Sequence, residues 1–233
     1  LSSSLLVSSG GVPVAVRWLS GGVQTMARES DGTTVLGSTP ADGARYEVTS
    51  YAPTPTAAVL RRAPRGFPRA YLRYAQFELP SAAASALDPP NLQAEERALP
   101  LRASLVGAPA PGRTPASDPT IARRIEASPY EPMFVLARRL AAGARTTYDV
   151  AERTERFLLE NYTYDESVPE GRYPLEAFLF GQGRGYCQQF SGAMALMLRM
   201  DGIPARVAAG FTPGVYDPAT ATWRVRALDA HAW

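Results

Sequence analysis

Counting from Phe190, apolar residues recur at Ala193, Met194, Met197 and Leu198. This is the i, i+3, i+4, i+7, i+8 series of a helix lying on a core. Cys187 falls on the same face three residues earlier, and Leu196 and Met200 make residues 188–200 apolar nearly all round, which predicts a helix buried inside its domain. Asp201-Gly202 supplies the stop, because glycine takes the left-handed conformation without a Cβ clash, and Pro204 keeps the helix from resuming. Beyond it, Ile203, Ala205, Val207, Ala209 and Phe211 alternate with Pro204, Arg206, Ala208 and Gly210, the period of a strand with one covered face. Two turn signals, Thr212-Pro213-Gly214 and Asp217-Pro218, lead into a second strand in which Trp223, Val225 and Ala227 alternate with Arg224 and Arg226. Upstream, residues 132–142 and 145–160 show helical spacing and join at Gly143, with Tyr148, Ala151, Phe157 and Leu158 as the expected core contacts.

The first eighty residues follow a different period. Residues 12–19 are apolar and extended, Asp31-Gly32 sits between residues 23–29 and 33–36 as a hairpin turn would, and residues 45–51 alternate again. Between 81 and 119 the chain is rich in alanine, proline and serine, with Asp88-Pro89-Pro90 and Pro109-Ala110-Pro111-Gly112 opposing regular structure. The division expected is a β-rich module over 1–80, a linker over 81–119 and an α+β core over 120–233. No internal repeat is present.

Composition narrows the chemistry. With 233 residues, 45% of them hydrophobic, the chain can bury one sizeable core or two small ones. The formal charge of +2 implies no polyanionic partner. All 24 basic residues are arginine, but they are spread among 22 acids rather than gathered into a patch, so nucleic-acid binding is not expected. No run approaches the ~18 consecutive apolar residues of a membrane helix, and residues 1–11 lack the basic start of a signal peptide. The glycines at 181 and 183 lack the third spaced glycine and the downstream Lys-Ser of nucleotide loops.

One cysteine and one histidine cannot make a four-ligand zinc site or an internal disulfide, so no metal or cofactor is expected. They can make a nucleophile and its base. Cys187 follows the loop Gly181-Gln182-Gly183-Arg184-Gly185-Tyr186 and opens the predicted helix, where unpaired backbone N–H groups favour an attacking thiolate. His231 comes 44 residues later, after the two strands. Cysteine thiolate would attack a carboxamide or peptide carbonyl, and imidazole would carry the proton to the leaving amine. The N–H of Cys187 is a candidate oxyanion donor, with Tyr162 or Tyr164 as the second. Asp229, two residues before His231, is a weak candidate for the acid that orients the imidazole.

Gly185-Tyr186-Cys187-Gln188-Gln189-Phe190, the run Met197-Leu198-Arg199 with Gly202-Ile203-Pro204-Ala205-Arg206-Val207, and Asp229-Ala230-His231-Ala232-Trp233 resemble the core motifs of the transglutaminase-like superfamily, in particular its bacterial membrane-anchored branch. Asn161-Tyr162-Thr163-Tyr164, Val168-Pro169 and the run from Pro174 to Phe180 fit the same branch, and the resemblance is specific over 132–233. Gln188 stands where related sequences often carry glutamate. The resemblance implies a papain-like thiol fold, with a buried cysteine-bearing helix on an antiparallel sheet. It also implies an orienting aspartate about one strand beyond the histidine, a position past Trp233, so that the core is expected to be truncated and the fragment weak or inactive. Further implied are a protein or peptide acyl donor, a primary amine or water as acceptor, and an extracytoplasmic location with membrane contact only through segments outside these residues. A non-enzymatic interaction module built on the same fold is the alternative from another class.

Overall fold

The computed structural model describes residues 7–22, 25–29, 33–64, 66–80, 103–106, 118–168 and 173–233. It is an α+β structure in which the strands pair two by two. These are β1 (Val12–Ser20) with β4 (Arg45–Tyr51), β2 (Met26–Arg28) with β3 (Thr34–Leu36), β5 (Phe77–Pro80) with β6 (Ala103–Val106), β7 (Thr163–Tyr164) with β8 (Arg184–Gly185), β9 (Ala209–Phe211) with β12 (Ala230–Ala232), and β10 (Val215–Asp217) with β11 (Thr222–Arg224). The β7–β8 pair is parallel.

The chain divides into two compact units, Leu1–Thr56 with Gly210–Ala230, and Ala57–Ala209 with His231–Trp233. This boundary differs from the 1–80, 81–119 and 120–233 division. Residues 57–80 contain a helix α1 (Ala57–Arg61), a 3-10 turn (Arg69–Ala75) and β5, and they contribute buried Ala75 and Phe77. Most of 81–119, with both proline clusters, lies outside the described residues, as does the Asp31-Gly32 turn. The described piece, Ala103–Val106, is a strand in register with Phe77–Pro80.

The second unit holds the larger core, built by four helices: α2 (Pro119–Glu126), α3 (Glu131–Ala141), α4 (Thr147–Asn161) and α5 (Cys187–Met200). Ile125, Met133, Leu158, Phe178, Ala193, Met197 and Met200 meet in one cluster. Capping fixes two of the helix starts. The Asp118 carboxylate accepts from the Thr120 and Ile121 N–H groups, and the Thr146 hydroxyl and Asp149 carboxylate exchange bonds with each other's backbone N–H. On α4 the buried positions are Val150, Thr154 and Leu158, while Tyr148 and Ala151 stay half-buried. Thr154 tolerates this because its hydroxyl donates to the Val150 carbonyl at 2.9 Å.

In α5 no residue from Ser191 to Met200 is exposed, in keeping with a helix apolar nearly all round. Its end is a Schellman motif: Gly202, at φ +75°, and Ile203 donate to the Arg199 and Leu198 carbonyls at 2.9 Å. The strand expected from Ile203 begins only at Ala209. Pro204 has no N–H, the Ala205 N–H goes to the Tyr74 carbonyl at 3.1 Å, and the Ala205 carbonyl is taken by Arg199 Nε at 2.7 Å, so these groups have no ladder to join.

Candidate active site

The approach to Cys187 is more ordered than its glycines suggest. Ala177–Gln182 form a π-helical turn, drawn inward by buried Phe178 and Leu179 and closed by the Gly183 N–H on the Phe178 carbonyl at 3.2 Å. Gly183 then takes φ +65°, and Gly185 lies so close to its neighbours that an added Cβ would come within 2.8 Å of the Phe178 ring and 2.9 Å of Gln189 Cβ. The chain therefore enters α5 along a single path. Tyr186 is its N-cap residue and provides no side-chain cap. The Gln189 carboxamide accepts instead from the Tyr186 N–H at 3.2 Å, and the Tyr186 hydroxyl donates to Gln188 Oε1 at 3.0 Å. Unlike α2 and α4, whose first turns are capped by Asp118 and Thr146, the start of α5 is closed from within by Gln189, and the half-buried Cys187 thiol lies on that first turn.

Of the two tyrosines, Tyr164 is the one brought to the thiol. β7 runs parallel to β8 with Tyr164 opposite Gly185, and the ring lies on Phe190 with centroids 6.1 Å apart and planes at 29°. Its hydroxyl faces both the backbone N–H and the sulfur of Cys187. Burial of that end raises the phenol above the usual tyrosine range, the Cys187 N–H pulls it back down, and the charge of an ionised Cys187 pushes it up again. Tyr162 is directed elsewhere: its hydroxyl donates to the Leu179 carbonyl at 3.0 Å and its ring packs between Phe157 and Phe178. An open groove of about 450 Å³ on that side is lined by Val135, Leu136, Phe157, Tyr162, Leu179 and Phe180, without Cys187.

His231 belongs to the same compact unit as Cys187. It is half-buried in β12, its ring edge-on to Trp233 at 5.0 Å, and Trp233 exchanges both backbone bonds with Ala208 at 2.9 Å. Asp229 closes the 3-10 turn Ala227–Asp229: its carboxylate accepts from the Arg226 N–H at 2.6 Å, which holds it below the usual carboxylate range. Among the described residues no group of three or more His, Cys, Asp and Glu side chains could hold a metal ion, and no helix is long and apolar enough to cross a membrane.

Residues 135–233 match the family model of the transglutaminase-like superfamily. They form a transglutaminase-like domain. Part of the chain is 42% identical over 85 residues to a protein-glutamine gamma-glutamyltransferase of Pseudomonas aeruginosa, covering 36% of this chain and 13% of that protein. It is also 33% identical over 112 residues to the uncharacterized protein YebA of Bacillus subtilis, covering 44% of this chain and 15% of that one. The matches thus span under a sixth of either relative. Two crystal structures of the periplasmic domain of TgpA from Pseudomonas aeruginosa, one bound to ethylmercury, share the fold of the whole chain at 20% identity, with TM-scores of 0.55 and 0.56, this chain covering 63% and 60% of theirs. The elements that carry Cys187 and His231 in the transglutaminase-like domain lie inside the family match.

Proposed function

We propose that this chain is the acyl-transfer part of a protein-modifying enzyme in which Cys187 is the nucleophile and His231 the base. The observation that carries the reading is the place of Cys187 on the first turn of α5. The one thiol of the sequence sits, half-buried, at the positive end of a helix, where the helix dipole favours the negative charge that develops on a thiolate or an attacked carbonyl. Chain reach is consistent with His231 as partner. The 14 residues of α5 span about 21 Å, and the seven residues from Ile203 to Ala209 can extend about 23 Å, a length sufficient to run back along the helix toward the end that carries Cys187.

Attack on a glutamine carboxamide forms a thioester and releases ammonia, and a primary amine then takes the acyl group. The gamma-glutamyltransferase relative favours an amine as acceptor, whereas the half-exposed thiol admits water, giving an amidase or protease. The periplasmic origin of the similar structures supports an extracytoplasmic location. Ammonia release from a glutamine-containing peptide, with and without a primary amine, tests the reading. Amine-dependent product is expected for a transamidase, and ammonia without amine incorporation for a hydrolase. Cys187→Ala should abolish both; activity surviving in that variant would overturn Cys187 as the nucleophile, and no activity in the full-length protein would favour a binding module.

A further inference from the structure

We propose that Arg199 is a positioning residue for His231: its guanidinium ties the segment ahead of β9 to the helix that carries Cys187, and so sets where the imidazole stands relative to the thiol. The inference rests on the acyl-transfer reading above and adds the residue that holds base and nucleophile in one frame. Residues 203–208 have no strand ladder to fix them, yet Ala205 is held from both sides. Its N–H donates to the Tyr74 carbonyl at 3.1 Å, and its carbonyl accepts from Arg199 Nε at 2.7 Å. Arg199 Nη1 donates in turn to the Gln76 carbonyl at 3.1 Å. One planar side chain of α5 thus spans two separate stretches of backbone. Gln76 is a firm abutment, because Ala75 and Phe77 on either side of it are buried. Three residues after Ala205 comes Ala208, which exchanges both backbone bonds with Trp233 at 2.9 Å, and His231 precedes Trp233 by two in β12.

The energetics favour placement over simple space filling. Burial works against the charge of the Arg199 guanidinium and lowers it below the ordinary arginine range, and among the described residues no carboxylate pairs with it to offset that cost. In return it makes two charge-assisted bonds, both to main-chain carbonyls. An apolar side chain could fill the same space, but apolar contact has no direction and could not fix the level of Ala205 along α5. Arg206 adds a hold on the same anchor, its guanidinium 5.5 Å from the centre of the Tyr74 ring. Without Arg199 the Ala205 N–H would still reach Tyr74, but nothing at Ala205 would be bonded to α5 itself, so β12 could shift against Cys187 while the chain stays folded.

His231 is the single histidine and Cys187 the single cysteine of the sequence, so each can be read alone. The test follows the imidazole titration by NMR before and after the thiol is blocked with methyl methanethiolsulfonate. A thiolate beside the ring favours the imidazolium, so in the unsubstituted chain blocking should lower the titration midpoint by about 1–3 pH units. Arg199→Met keeps most of the side chain's bulk and removes both donors. It should lose most of that difference and slow, by up to about 10²-fold, the burst of nitrophenolate released as p-nitrophenyl acetate acylates the thiol. Arg199→Lys, in which one nitrogen replaces the two that reach separate carbonyls, should fall between. Thr154→Ala disturbs the buried side of α4 without touching these bonds and should keep the whole difference. An undiminished difference in Arg199→Met overturns the proposal, as does an equal loss in Thr154→Ala, which would mean general loosening. If Arg199→Met does not fold, Arg199→Lys decides by the same two outcomes. No difference in the unsubstituted chain would sink the pairing of Cys187 with His231 instead, so the two failures are distinguishable.

Discussion

Tyr162 and Tyr164 are two residues apart, and what separates them is where each hydroxyl goes. The Tyr162 hydroxyl holds the Leu179 carbonyl, so Tyr162→Phe should lower stability by about 1 kcal/mol, read in urea denaturation, without touching thiol chemistry. Asp201 is a second residue with a legible cost. Burial pushes its carboxyl up to about 6 against the attraction of Arg138, and it sits at the C-terminal end of α5, where a negative charge is unfavourable. Its folded-state value lies above the unfolded one near 3.9, so the folded state binds the extra proton and stability falls as pH rises from about 4 to about 6. Asp201→Asn should therefore raise the melting temperature at pH 8 and do little at pH 4, and an equal effect at both would contradict the assignment. Cys187 and His231 are visible in the sequence because each is the single residue of its type, and their neighbours carry the family motif. The choice between the tyrosines is not visible there. It is made by the register of a two-residue ladder and by a carbonyl released from the π-helical turn, neither of which leaves a periodic trace.

At the scale of elements, the sequence predicts helices well where spacing and stop signals agree. The Asp201-Gly202-Ile203 stop folds as its residues dictate, and Gly143, at φ +69°, joins α3 to α4 as expected. α2 goes unforeseen although Asp118-Pro119 caps it and Ile121 and Ile125 are buried one turn apart, because the alanine- and proline-rich stretch before it dominates the composition. Residues 203–208 fail as a strand for the opposite reason: alternation is present, but tertiary partners claim the backbone groups of Ala205 before a neighbouring strand can. The glycine loop reads as irregular, yet its first two residues, Gly181 and Gln182, end a π-helical turn that buries Phe178 and Leu179 just before it. Gly185→Ala tests the tightness of this passage. The methyl group would meet Phe178 and Gln189, and overpacking of this kind should cost about 1–3 kcal/mol and shift the start of α5. Lower stability together with a slower nitrophenolate burst is the expected result, and a variant unchanged in both would show that the entry path is loose.

For the molecule as a whole, the division into units joins residues 210–230 to the first 56. Composition changes along the chain could mark a linker, but they carry no information about which distant segments cluster. The two units also differ in what they bury: the second has the Met133, Met197 and Phe178 cluster, while the described buried residues of the first are few, Val7, Thr34 and Leu36. Hydrogen exchange should accordingly be slowest at the α5 amides of Ala193, Met197 and Met200 and faster along β1–β4 and β10–β11, whose two-stranded ladders open locally. Uniform protection across both units would contradict this. Ion pairs among the described residues, Arg17 with Glu47, Arg61 with Asp149 and Glu152, Arg156 with Glu152, Arg184 with Asp165 and Arg226 with Asp229, share one further property: every cation is a guanidinium, as are all 24 basic residues of the sequence. A guanidinium can bind a carboxylate but is no ordinary acceptor for a thioester. An enzyme that hands acyl groups to primary amines would find no ε-amino group on any side chain of these 233 residues, and would be spared from branding itself with its own product.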